Sequence, residues 1–110
     1  MNHDEIIQAI EQAHSGYQEW KIYAFSIRAK ALTHASRALK ANNITLAECI
    51  TQEMGKPIKQ SLAEVEKCAW IGDYFATNGQ QHLAEDTIDL GEKKAIVTAQ
   101  TLGILFALMP

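Results

Sequence analysis

Ile50-Thr51-Gln52-Glu53-Met54-Gly55-Lys56-Pro57-Ile58-Lys59-Gln60-Ser61-Leu62 holds a helix stop and a helix start only a few residues apart. Leu46, Ile50 and Met54 recur at helical spacing on the near side, and Gly55 followed by Pro57 ends that periodicity. Beyond Pro57 a second pattern begins, in which Ile58, Leu62, Val65, Ala69 and Gly72 follow one another at intervals of four, three, four and three. Such a stripe faces a partner helix. Gly72 on the stripe permits close approach at about 1 kcal/mol of helix propensity. This helix is expected over residues 57–78, closed by Asn78-Gly79.

Upstream, Thr45 and Glu48 form a Thr-x-x-Glu capping box, which places the start of the preceding helix at Thr45. An earlier helix is expected over residues 25–41, with Arg28, Ala31, Leu32, Ala35 and Leu39 along one side. Asn42-Asn43 ends it, because Asn tolerates the left-handed conformation at a C-terminus. A first helix is expected over residues 4–15, capped by Asn2 or Asp4 and stopped by Gly16, with Tyr17 and Trp20 in the connection that follows.

Downstream of Leu83 the period changes. Thr87-Ile88-Asp89-Leu90 alternates, Gly91-Glu92-Lys93 offers a turn, and Ala95-Ile96-Val97-Thr98 is rich in β-branched residues, so a hairpin is expected. The final run, Leu102 to Met109, is apolar at both alternating positions, as in a strand buried on both faces of a parallel sheet. No second βα unit follows within the 110 residues to supply neighbouring strands. The sequence therefore reads as a piece of a larger α/β protein. The expected class is an α+β fragment of four mainly antiparallel helices, a β-hairpin, and the first strand of a truncated Rossmann-like domain. The divisions are 1–84, 85–101 and 102–110.

Composition excludes several function classes. Ten basic and thirteen acidic residues, interspersed, give a net charge of −3. That is no basic stripe for nucleic acid. No stretch reaches the roughly 20 apolar residues of a membrane span, and the N-terminus lacks the layout of a signal peptide. Cys49 and Cys68 are too sparse for a disulfide framework or zinc cluster, which points to free thiols in the cytoplasm.

Chemistry is scarce. Both cysteines fall inside expected helices with no histidine within four residues, so both are expected to be packed rather than nucleophilic. His3, His14, His34 and His82 show no metal-binding spacing. Gly55-Lys56 fails as a phosphate loop, since Ile50 and Pro57 stand where Gly and Ser or Thr are needed. Trp20, Trp70 and Tyr74 are read as core aromatics rather than pocket linings. No catalytic and no metal-binding residue is assigned.

The block Glu53-Met54-Gly55-Lys56-Pro57, with Ser61, Ala63-Glu64-Val65 and Lys67-Cys68-Ala69 after it, resembles the aldehyde dehydrogenase family, above all its succinate-semialdehyde branch. Trp20, Arg28-Ala29, Leu32, Leu39, Tyr74, Ala76, Leu102-Gly103 and Met109-Pro110 agree with that family in order and spacing. Thr101 departs from it, standing where these enzymes usually carry proline. The resemblance implies an oxidoreductase that converts an aldehyde to its acid with NAD or NADP. Cofactor contacts are expected to begin at the backbone of Met109 and Pro110. The family's oxyanion-hole asparagine, nucleophilic cysteine and general-base glutamate all come later, and neither Cys49 nor Cys68 matches the nucleophile motif.

It follows from the resemblance that the isolated chain is inactive and binds no cofactor by itself. Its partners are the remainder of the dehydrogenase and, through the hairpin, further subunits of a homo-oligomer, with no nucleic acid and no membrane. The competing expectation is a free-standing helical interaction module that uses the Ile58-Leu62-Val65-Ala69 face.

Overall fold

The computed structural model describes residues 2–107. Four helices, α1 (His3–Trp20), α2 (Phe25–Ala41), α3 (Asn43–Met54) and α4 (Ile58–His82), precede two strands, β1 (Asp86–Asp89) and β2 (Lys94–Val97). Phe25–Leu83 forms one compact unit, and the flanking segments, up to Ala24 and from Ala84, form another.

In the first unit α4 is the spine, and α2 and α3 both pack on it. Val65 and Ala69, from the expected stripe, are buried, together with Ser61 and Gly79. Ala47 of α3 and Ser36 of α2 are buried as well. The stripe's small residues decide how close the helices come. A Cβ added to Gly72 would lie 2.2 Å from Ser36 Oγ, and one on Gly79 would lie 3.0 Å from the Phe25 ring. Contacts pairing Phe25 with Gly79 and Ser36 with Gly72 run α2 antiparallel to α4.

Gly79 is thus a packing residue and not a stop, and α4 continues to His82, four residues past the expected end. Gly16 likewise lies inside α1, which runs to Trp20 and takes in Tyr17 and Trp20. Around this end of α1 the Tyr17 hydroxyl lies 3.0 Å from Thr101 Oγ1, and Trp20 meets Tyr23 edge-on at 5.7 Å. Asn2 caps α1 as expected, in a reciprocal capping box with Glu5.

The junction of α2 and α3 differs from expectation. α3 begins at Asn43, so Thr45 and Glu48 lie within it and form no capping box. Asn42 is not left-handed, with φ of −110°. Its side chain donates to Ala38 O at 2.8 Å, closing α2, while its own carbonyl accepts from Leu46 N at 3.0 Å, opening α3. One residue serves both helix ends, and no loop is needed.

In the second unit β1 and β2 form an antiparallel hairpin in which Thr87 faces Ile96 and Ile88 faces Ala95. Gly91, at φ +83°, turns the chain, and its N–H bonds Asp89 Oδ1 at 2.9 Å. Each strand lies one residue earlier than expected. Residues 98–107 form no strand, and Leu102, Leu105 and Phe106 are almost fully exposed. The anticipated buried strand is therefore not formed among the described residues. A strand forms on ladder hydrogen bonds to a neighbour, and none pairs with this run.

Candidate functional site

The Glu53–Pro57 block builds a corner rather than a reaction centre. Gly55 takes the left-handed conformation at φ +68°, and its N–H bonds Thr51 O at 2.9 Å. Pro57, fixed near φ −57°, precedes the first residue of α4, where a missing N–H costs nothing. Lys56 pairs with Glu64, and Thr51 Oγ1 and Ser61 Oγ are 3.0 Å apart. The last turn of α3 is thereby tied to the first turns of α4.

Titratable groups are dispersed. Lys40 binds Asp73 at 2.5 Å and holds that carboxyl below the usual carboxylate range. The positive charges of Lys40 and Arg37 act in the same direction, and partial desolvation opposes them. Ser36 also faces this carboxylate, although its Oγ makes no hydrogen bond of acceptable geometry. His14 bonds Gln18 at 3.1 Å, and His82 Nε2 lies 3.2 Å from the Tyr74 hydroxyl. Among the described residues no three of His, Cys, Asp and Glu come together as a metal site.

Both thiols correct the expectation of burial. Cys49 and Cys68 are exposed, and both line an apolar groove between α3 and α4 with Leu39, Leu46, Ile50 and Val65. Trp70 and Tyr74, expected as core, are also exposed, at 63% and 40%, as is Phe75 beside them. Trp20, at 45%, does not enter a core either.

The expected cofactor contacts, Met109 and Pro110, lie outside the described residues. The Gly55-Lys56 step spends its glycine N–H on Thr51 and its ammonium on Glu64, so it offers neither to a phosphate. No reaction step is assigned to the described residues. One cleft that sequence reasoning missed is lined by Phe25, Arg28, Leu32, Phe75, Gly79 and His82. Periodicity alone gave no signal for it, because Arg28 reads as one more residue on a helix face.

The description "Aldehyde dehydrogenase family" applies to a family model that matches residues 1–110, the whole sequence. The chain belongs to the aldehyde dehydrogenase family. It is 35% identical over 107 residues to the NAD(P)+ succinate semialdehyde dehydrogenase Sad of Escherichia coli K12, covering 97% of this chain and 23% of that protein. It is 33% identical to the NADP+ succinate-semialdehyde dehydrogenase 1 of Mycobacterium tuberculosis H37Rv, over 97% of this chain and 24% of that one. Among aldehyde dehydrogenase structures, the Streptococcus pyogenes succinic semialdehyde dehydrogenase, crystallised with NADP+, superimposes with a TM-score of 0.87 at 26% identity. That match covers 94% of this chain and 23% of the other. Gox0499 shares the fold, with a TM-score of 0.89 at 21% identity. The chain thus spans about a quarter of the length of the aldehyde dehydrogenases it matches.

Proposed function

We propose that this chain is the N-terminal part of an NAD(P)-dependent aldehyde dehydrogenase that oxidises succinate semialdehyde to the dicarboxylic acid. The observation that carries the reading is the match, over 97% of this chain, to the succinate semialdehyde dehydrogenase Sad, of which it covers 23%. In this reading the helices cover the cofactor-binding domain and the hairpin adds its open edges to a sheet shared between subunits. An isolated two-stranded hairpin is marginally stable, and its edges invite further strands. Met109 and Pro110 begin the cofactor contacts, and the activity is that of a protein without a membrane span. No described helix is long and apolar enough to cross a membrane.

The nucleophile, the general base and most cofactor contacts belong to the remaining three quarters of such an enzyme, so the 110-residue chain by itself is inactive. The test is absorbance at 340 nm with the purified chain, succinate semialdehyde, and NAD+ or NADP+. The expected rate equals the protein-free blank. Substrate-dependent turnover by this chain would overturn the reading.

A further inference from the structure

The cleft between α2 and the C-terminal half of α4 holds an unanswered cation. Arg28 Nε is buried and has no hydrogen-bond partner among the described residues. The guanidinium lies over the Phe25 ring, 5.8 Å from its centroid. Phe75, Leu32 and Gly79 form the walls of a space of about 250 Å³, and His82 stands at its rim with Nε2 engaged by Tyr74. Among the described residues no carboxylate lines this space, whereas the groove at Lys40 contains Glu66 and the groove at Lys56 and Lys67 contains Glu64.

A buried guanidinium N–H without an acceptor carries its full desolvation penalty. Its planar fork matches a carboxylate, and apolar walls strengthen the pairing by excluding water. Gly79 keeps the space open, since a Cβ there would meet the Phe25 ring at 3.0 Å.

We infer that this cleft is a carboxylate site: Arg28 takes a carboxylate carried on a short apolar stem, which packs between Phe25 and Phe75. The carboxylate comes either from a small organic acid or from an Asp or Glu side chain of the polypeptide that accompanies this segment in the longer relatives.

The probe is sodium butyrate, titrated into the 110-residue chain and followed through the arginine Nε–H resonances and the Phe25 and Phe75 ring signals. Butyrate should shift Arg28 Nε–H saturably, and the neutral isostere butyramide should not. R28Q, which lacks that resonance and is read through the Phe25 and Phe75 ring signals, should weaken the response by about tenfold or more while leaving the helical circular dichroism unchanged. R28K, which keeps charge but loses the fork, should fall between. A response that fails to saturate, is equal for butyramide, or persists in R28Q would overturn the assignment. The source is read by repeating the titration on this chain joined to the unmatched remainder of Sad. If a side chain fills the cleft, Arg28 Nε–H is already shifted and butyrate no longer binds. If a free acid does, butyrate binds as before. Neither result there would overturn the site.

Discussion

Gly72 and Ser36 meet where α2 crosses α4, and their contact shows how small residues set the helix spacing. A methyl at Gly72 would sit 2.2 Å from Ser36 Oγ but 3.5 Å from Ser36 Cβ. G72A therefore sets a helix-propensity gain of about 1 kcal/mol against overpacking of about 1–3 kcal/mol, for a net loss of about 1 kcal/mol. S36A removes the clashing oxygen, which is itself buried without a partner. The double variant S36A/G72A should be at least as stable as wild type. Urea midpoints of the four proteins check this cycle, and a double variant no better than G72A would show that the helices cannot use the space.

The same residue scale explains what the sequence hid. Gly16 and Gly79 read as stops because glycine weakens helices, yet each lies inside one. At Gly79 the reason is the Phe25 ring, a residue 54 positions away that no local pattern reveals. Gly55 was legible because the αL position, the following Pro57 and the end of the apolar repeat agree locally.

Among elements, the α3–α4 corner and the bounds of α2 followed directly from periodicity and punctuation. The start of α3 did not, because Asn42 closes one helix and opens the next. Between α2 and α4 the Lys40–Asp73 pair adds a pH dependence. Lys40 lowers the Asp73 pKa in the folded state relative to the ordinary carboxylate value of about 3.9. A depressed carboxylate contributes stability above the unfolded-state pKa and loses it as pH falls through the folded-state value. The stability difference between wild type and D73N should therefore be present at pH 7 and shrink below about pH 4. Chemical denaturation at both pH values measures it. A difference that grows on acidification would contradict the assignment. Both side chains are substantially exposed, so the effect is modest and weakened by salt.

At the scale of the whole molecule, the core is too small for the apolar surface the chain carries. Ala47, Val65 and Ala69 are the buried hydrophobic residues among those described, and the largest fully buried side chains are serines. On α1, Ile6 and Ile10 remain about half exposed, and they border an apolar groove with Ile104, Leu105 and Phe106. A β-prone apolar tail without charge favours self-association. Deleting residues 101–110 should raise the soluble, monomeric fraction in light scattering, and an unchanged fraction would count against this view. The sequence revealed the apolar run Leu102–Met109 and its lack of neighbours. It did not show the exposed flanks of α4, since a stripe cannot tell which of its borders a partner covers.

A chimera tests most directly whether these faces are made for the rest of an aldehyde dehydrogenase. The matched segment of Escherichia coli Sad, 107 aligned residues at 35% identity, would be exchanged for this chain, and succinate-semialdehyde-dependent NAD(P)H formation measured. The account predicts a soluble protein with activity within about tenfold of Sad, which corresponds to about 1.4 kcal/mol in transition-state stabilisation. A soluble, folded chimera without activity, alongside an active Sad control, would contradict it.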